Sequence, residues 1–298
     1  MNRIILDTDI GTDSDDAVAL SLAIRSPEIK LEGVTTVYGN VHVRAEIAKK
    51  IMALSSEEQV EVYPGVVRPL LHNREVFWAG IEGEGLDIDA GSAEETKHAV
   101  DFIIETIMKN PGEITLVTIG PLTNIAAAII REPRIAKNVK EIVMMGGVVR
   151  LSHNAAELPH IEHNIKCDPE AASLVFSSGA PILMVGLDVT RQVSITRKDK
   201  DELALSGTPL AVTLTKQIEG YMDYRKRDFT FMHDPLAVAT LLDRRLVKTR
   251  KMNITVEYDH RHPTGQTIGE LSETGNVEVC LEVNRDAFLD LLKARVFN

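Results

Sequence analysis

The chain has 298 residues, 44% of them hydrophobic, which is enough for one large α/β domain with a substantial core. Its 33 Lys and Arg against 44 Asp and Glu give a net charge of −11, which disfavours nucleic acid and anionic membranes as partners and favours a small neutral or cationic ligand. Two cysteines, Cys167 and Cys280, supply neither a disulfide framework nor a metal-ligand spacing; with no apolar run long enough for a bilayer and no secretory signal, a reduced, cytoplasmic protein is expected.

In chain order, residues 3–6 read as a short apolar strand and residues 15–26 as a helix ended by Pro27. Residues 30–37 read as a strand, 43–54 as a helix, 80–91 as a Gly- and Glu-rich surface loop, and 93–109 as a helix. A strand over 114–118, a helix over 122–131, a strand over 141–145, a helix over 168–177 and a strand over 181–185 follow. Beyond Arg191 the pattern becomes more helical, with helices over 209–224, 235–242 and 286–294 and strands over 252–258 and 277–282. Strand–helix alternation without repeats or linkers predicts one α/β domain over residues 1–298, with a mostly parallel, mixed sheet flanked by helices around a Rossmann-type core. Ligands of such a sheet sit beyond the carboxyl ends of its strands. The informative residues are therefore Asp7 and Asp9, Tyr38-Gly39-Asn40, residues 118–124, and Met145-Gly146-Gly147.

Asp7, Asp9, Asp13, Asp15 and Asp16 crowd the end of the first strand. Five carboxylates this close repel one another, and a hard, oxygen-loving cation such as Ca²⁺ or Mg²⁺ is the natural way to keep them ionised. One or two of them could simply cap the following helix, but capping does not require five. Gly11 permits the tight turn that lets the acids converge. An EF-hand is excluded, because the twelfth position is Val18 or Leu20 instead of Glu. A strand followed by Asp-x-Asp also resembles the opening of haloacid-dehalogenase-type phosphatases, with Asp7 as nucleophile. The later Gly186-Leu187-Asp188 is only a poor echo of their second motif.

Asp7-Thr8-Asp9-Ile10-Gly11-Thr12-Asp13-Ser14-Asp15-Asp16-Ala17 resembles the opening of the inosine–uridine-preferring nucleoside hydrolase family. So, in order, do Thr35-Thr36-Val37-Tyr38-Gly39-Asn40, Gly120-Pro121-Leu122-Thr123-Asn124-Ile125-Ala126, Met144-Met145-Gly146-Gly147, Glu162-His163-Asn164 with Asp168-Pro169-Glu170-Ala171-Ala172, and His233-Asp234-Pro235-Leu236-Ala237-Val238-Ala239. Each motif alone is weak; their order from Asp7 to Ala239 is specific. The resemblance implies calcium-dependent cleavage of a ribonucleoside into ribose and free base, and a homodimer or homotetramer. It implies that Asp9, Asp16, Asp234 and the Thr123 carbonyl hold the calcium ion. It further implies that Asp9 takes a proton from the attacking water, and that Asp15, Asn40, Met145, Asn154, Glu162 and Asn164 surround the sugar. His233 is expected beside the leaving base.

The sequence departs from the family pattern in three places. The first loop is longer, so Asp13 is an alternative to Asp15 or Asp16 at the ion. The segment between Asn154 and Glu162 is longer as well. Many relatives have His-Gly near residue 80, whereas residues 78–86 here contain no His. That leaves His233, with Tyr221 and Tyr224, as candidates at the base, and keeps a non-catalytic nucleoside- or ribose-binding protein as an alternative. His160 and His163 have zinc-like spacing but no third soft ligand, and loop positions near the sugar are expected for them.

Overall fold

From Ile4 onward the first strand, β1 (Asn2–Thr8), is buried, as a strand covered by helices on both faces must be. This computed structural model describes residues 1–55, 60–88, 97–259 and 264–298. After β1 come α1 (Asp15–Ile24), β2 (Ile29–Thr36), α2 (Val41–Ser55), β3 (Val62–Pro64), α3 (Ala99–Lys109), β4 (Ile114–Thr118), α4 (Thr123–Arg131), α5 (Ile135–Asn138) and β5 (Glu141–Met145). Then follow α6 (His163–Cys167), α7 (Pro169–Ser177), β6 (Ile182–Val185), α8 (Leu187–Thr190), β7 (Ser194–Thr196), α9 (Arg197–Ala204), α10 (Pro209–Tyr224), β8 (Phe229–Phe231) and α11 (His233–Leu242). β9 (Val247–Val256), β10 (Thr267–Leu271), β11 (Val277–Val283) and α12 (Arg285–Leu292) complete the series.

Nine strands form one sheet in the order β10-β9-β11-β6-β5-β4-β1-β2-β3, and β7 pairs with β8 apart from it. β11, β6, β5, β4, β1, β2 and β3 run parallel to one another, while β9 is antiparallel to both β11 and β10. The mostly parallel, mixed α/β domain read from the sequence is the one observed. Alternation along β1 divides the core. Ile4 and Leu6 pack with α1, α2, α10 and α11, while Ile5 packs with α3, α4 and α7 on the other face. The chain leaves β1 toward β2 and returns on its other side at β4, so the topological switch point lies where Asp7 and Thr118 pair in register.

Several elements differ from expectation for physical reasons. α3 begins at Ala99, where His98 Nδ1 accepts from Val100 N at 3.2 Å; residues 93–96, assigned to this helix from the sequence, lie outside the described residues. β10 was missed because its pattern is inverted: Ile268 and Leu271 face outward while Thr267 is buried. Thr267 Oγ1 is satisfied there by donating to Val148 O at 2.6 Å and accepting from Val148 N at 2.8 Å. The strongly polar α9 carries no apolar stripe and is set by the Thr196–Asp199 capping box. β3, β7 and β8 are too short for periodicity to register, and α11 begins at His233 because Pro235 is tolerated in a first turn. No helix among the described residues is long and apolar enough to cross a membrane.

Candidate active site

The first loop is held by a cation that the motif reading did not include. Arg44 is fully buried, on the stripe of α2 that also carries Val41, Ala45 and Ala48. Its Nε donates to Tyr38 O at 2.6 Å, its Nη1 to the carbonyls of Asp9 and of Ile10 (2.9 Å), and its Nη2 to Thr12 Oγ1 at 3.0 Å. A planar fork can satisfy several carbonyls of a folded-back loop at once. That loop turns at Gly11 (φ 109°), while the turn after β2 places Tyr38 at φ 65° and Gly39 at φ 78°. The Trp78 ring lies 5.1 Å from the guanidinium carbon and covers it. A cation inside an otherwise apolar helical stripe was the sequence signal for this clamp.

The clamp delivers the acids. Carboxylate oxygens of Asp15, Asp16 and Asp234 lie within 4.8 Å of one another, and all three residues are buried. Asp234 reaches the group because its N–H donates to Asp15 Oδ2 at 3.0 Å, tying the start of α11 to the start of α1. Thr8 Oγ1 orients Asp16 by donating to its Oδ1 at 2.6 Å. Burial first, and then the neighbouring acids, push the carboxyls of Asp15, Asp16 and Asp234 well above the usual range. Asp9 is among the charges acting on Asp16 and Asp234, although it stands outside the 4.8 Å group. A Cβ on Gly120 would come within 2.8 Å of Asp9 N and 2.9 Å of its Oδ1, so glycine is required where the β4–α4 turn meets Asp9. Asp13 is also raised by burial and hydrogen-bonds to Tyr221 of α10. Three crowded, desolvated acids, with Asp9 and Asp13 close by, offer the all-oxygen donors that fit a hard divalent cation.

Asp7 lies beneath this group, fully buried, its Oδ1 accepting from Thr35 Oγ1 and from Asn124 Nδ2 at 2.7 Å. Burial raises its carboxyl to about 7. Asn124 also donates to Thr36 O at 3.1 Å and accepts from Val66 N at 2.8 Å, stapling the ends of β1 and β2 to the segment after β3. Its Oδ2 is buried without a hydrogen-bond partner among the described residues, and with no solvent-exposed face the side chain offers a phosphate ester no line of approach, which argues against the phosphatase alternative.

The predicted sugar residues form two groups. Glu162 caps α6, accepting from Asn164 N (2.8 Å), Ile165 N (3.0 Å) and Gly147 N (3.0 Å). Asn164 Nδ2 donates to Ile119 O at 3.1 Å and to Met145 O at 3.2 Å, so α6 is fixed to the carboxyl ends of β4 and β5. Thr123 is buried at the start of α4, with Oγ1 donating to Asp168 at 2.7 Å. The other two are placed differently. Asn40 is exposed and caps α2, accepting from Val43 N at 3.1 Å. Asn154 is half-buried and accepts from Ser152 Oγ at 2.6 Å, in a loop gathered by the fully buried Asp188 through Val149 N (2.8 Å) and Leu151 N (3.0 Å).

On the remaining side, His233 Nδ1 lies 2.7 Å from Thr190 Oγ1. Burial, assisted by Arg191 and Arg225, pulls the imidazole down to about 3, leaving it neutral at physiological pH. Tyr221, raised by burial and by the Asp13 charge, stacks at 6.3 Å with Tyr224. His160 meets Arg150 at 3.0 Å, whereas His163 meets Phe77 edge-on and Cys167 at 3.5 Å, so the two histidines do not act as a metal pair. In the stretch without the expected His-Gly, Glu82 accepts from Ala79 N and Gly80 N, both at 2.7 Å, which closes a turn.

A family model described as inosine-uridine preferring nucleoside hydrolase matches residues 4–290. The chain is similar to the pyrimidine-specific ribonucleoside hydrolase RihA of Salmonella arizonae, with 33% identity over 98% of this chain and 97% of the relative. It is 36% identical to the probable uridine nucleosidase 2 of Arabidopsis thaliana, over 79% of this chain and 76% of that one. Among solved structures, the purine-preferring ribonucleoside hydrolase from Gardnerella vaginalis superposes with a TM-score of 0.87 at 33% identity, covering 99% of this chain and 98% of the other.

Proposed function

Because the chain belongs to the inosine-uridine preferring nucleoside hydrolase family, we propose that it hydrolyses the N-glycosidic bond of ribonucleosides to ribose and free base, using a bound calcium ion. The observation that carries the reading is the buried convergence of Asp15, Asp16 and Asp234 at the switch point of the sheet. Asp9, Asp16, Asp234 and the Thr123 carbonyl would hold the ion, and bound there it would supply a Lewis acid for water and an anchor for the ribose diol.

The side chains account for the remaining chemistry. Asp9 takes a proton from the attacking water at its carboxylate. Asp15, Asn40, Met145, Asn154, Glu162 and Asn164 face the sugar. Breaking the bond between the anomeric carbon and the base nitrogen places positive charge on the ribose. Fixed carboxylates and amide oxygens stabilise that charge more than they stabilise the neutral substrate. His233 lies beside the leaving base. Burial holds its imidazole well below the usual range, and a neutral ring there would act on the base as a hydrogen-bond donor.

The test is ribose release from a panel of purine and pyrimidine ribonucleosides, with calcium and again after chelation. Release that vanishes on chelation and returns with calcium is expected. A folded, calcium-loaded protein that releases ribose from none of them would overturn the reading in favour of a binding protein.

A further inference from the structure

α8 sits immediately after β6, and its last residue, Thr190, is fully buried. The only hydrogen-bond partner of the Thr190 hydroxyl among the described residues is His233 Nδ1, at 2.7 Å. A hydroxyl brings one proton and two lone pairs, and in a dry interior the proton must find an acceptor. If Nδ1 carried a hydrogen, it would donate to Thr190 Oγ1 and leave the hydroxyl proton without an acceptor. If Nδ1 is bare, the hydroxyl donates to it and both groups are satisfied. The surroundings hold this arrangement in place. Met232 N donates to Val193 O at 2.9 Å, continuing the ladder between β7 and β8, and the Phe231 ring lies 5.2 Å from the imidazole.

We infer that Thr190 is a positioning residue that locks His233 in the tautomer with a bare Nδ1 and a hydrogen on Nε2, so that the ring presents a donor to the departing base. The role toward the base rests on the proposed hydrolase reading; the tautomer does not. When the glycosidic bond breaks, its electron pair goes to the base, and acceptor atoms on the base ring become more negative. An N–H aimed there stabilises that charge, whereas the other tautomer would aim a lone pair at it.

The tautomer can be read directly from the nitrogen chemical shifts of ¹⁵N-histidine-labelled protein, with a His233→Gln sample to assign the signal. The expected wild-type result is an unprotonated Nδ1 and a protonated Nε2, retained in Thr190→Ser and lost or mixed in Thr190→Val. Turnover provides the second arm. Thr190→Val should lower kcat on a natural nucleoside by about 10- to 100-fold, with KM changed by less than about threefold. On p-nitrophenyl riboside, whose leaving group needs no help, the loss should stay under about threefold, and Thr190→Ser should restore the natural reaction. A protonated Nδ1 in the wild type, unchanged shifts in Thr190→Val, or equal kcat losses on both substrates would overturn the inference. If the wild type hydrolyses no nucleoside, the hydrolase reading fails, while the shifts still decide the tautomer.

Discussion

The acid floor and the exposed aromatics that we place at its rim, through their contacts with His163, Arg44 and Tyr221, are held in opposite ways. Asp7, Asp9, Asp15, Asp16 and Asp234 are all 5% exposed or less and lie at strand ends or helix starts fixed by the sheet. Phe77, Trp78 and Tyr224 are 42%, 38% and 42% exposed and belong to a loop and a helix end. A floor built into the sheet suits what all ribonucleosides share, the sugar. A rim on exposed segments can differ between relatives whose names specify uridine, pyrimidines or purines.

If that division is right, changes to the floor should damage every substrate alike, and only changes to those rim residues that touch the base should discriminate. Asp9→Ala should have the largest effect, lowering kcat by about 10⁴-fold on all nucleosides and weakening calcium binding, because in the proposed site it would remove a proton acceptor and a ligand together. Ribose release and calcium titration check both, and retention of normal calcium affinity would leave Asp9 as the base alone. His233→Ala should follow, with kcat on natural nucleosides down by about 100-fold and activated ribosides much less affected. Equal losses on the two substrates would remove His233 from the leaving-group side.

Arg44→Met comes next. It strands carbonyls of the first loop that now share one guanidinium, and a stability loss of about 3 kcal/mol is expected in denaturant unfolding. Arg44→Lys should recover only part of this, since an ammonium cannot fork between Tyr38 O and Ile10 O. Calcium affinity should fall in both variants if the clamp shapes the floor.

The acids also fix a pH dependence. Without calcium, Asp15, Asp16 and Asp234 hold protons in the folded chain at pH values where the unfolded chain has lost them. The folded state then binds more protons, so stability falls as pH rises above the ordinary carboxylate range of about 4, and Asp7, at about 7, extends the fall to neutrality. Calcium bound at these acids, as proposed, would displace those protons. Its stabilisation, read as a melting-temperature difference, should be wider at about pH 8 than at about pH 5 by on the order of 5 °C. A difference independent of pH would mean the raised carboxyls do not titrate in this range.

The contrast between floor and rim also explains what the sequence made legible. Most of the floor was readable because Asp7 to Asp16 crowd one stretch after a buried strand and Gly11 marks their turn, whereas Asp234, 219 residues from Asp15, was reached only through the His-Asp-Pro motif. Arg44, Asn124, Asp188 and Thr190 were not assigned roles. Each has a partner 35 or more residues away in sequence, and although a cation in an apolar stripe flagged Arg44, no local pattern names the partner. Asn154 and Asn40 lie on segments whose conformation depends on such partners, and their side chains were found tied to Ser152 and to the start of α2.

Trp78 tests whether floor and rim are separable. Its ring covers the Arg44 guanidinium, and a Cβ on Gly39 would come within 2.9 Å of it, so the indole packs directly on the left-handed turn after β2. It therefore belongs to the exposed rim but touches the clamp that shapes the floor. Trp78→Ala should cost about 1 kcal/mol of stability, the scale of a partly exposed cation–π contact. Arg44 keeps its carbonyl partners in this variant, so calcium affinity should be unchanged and KM should move by less than about threefold on every nucleoside. A base-dependent change in KM with normal calcium affinity would make Trp78 part of base recognition. A uniform loss with weakened calcium would show that the rim reaches the floor through Arg44, and the two regions would then have to be treated as one mechanical unit.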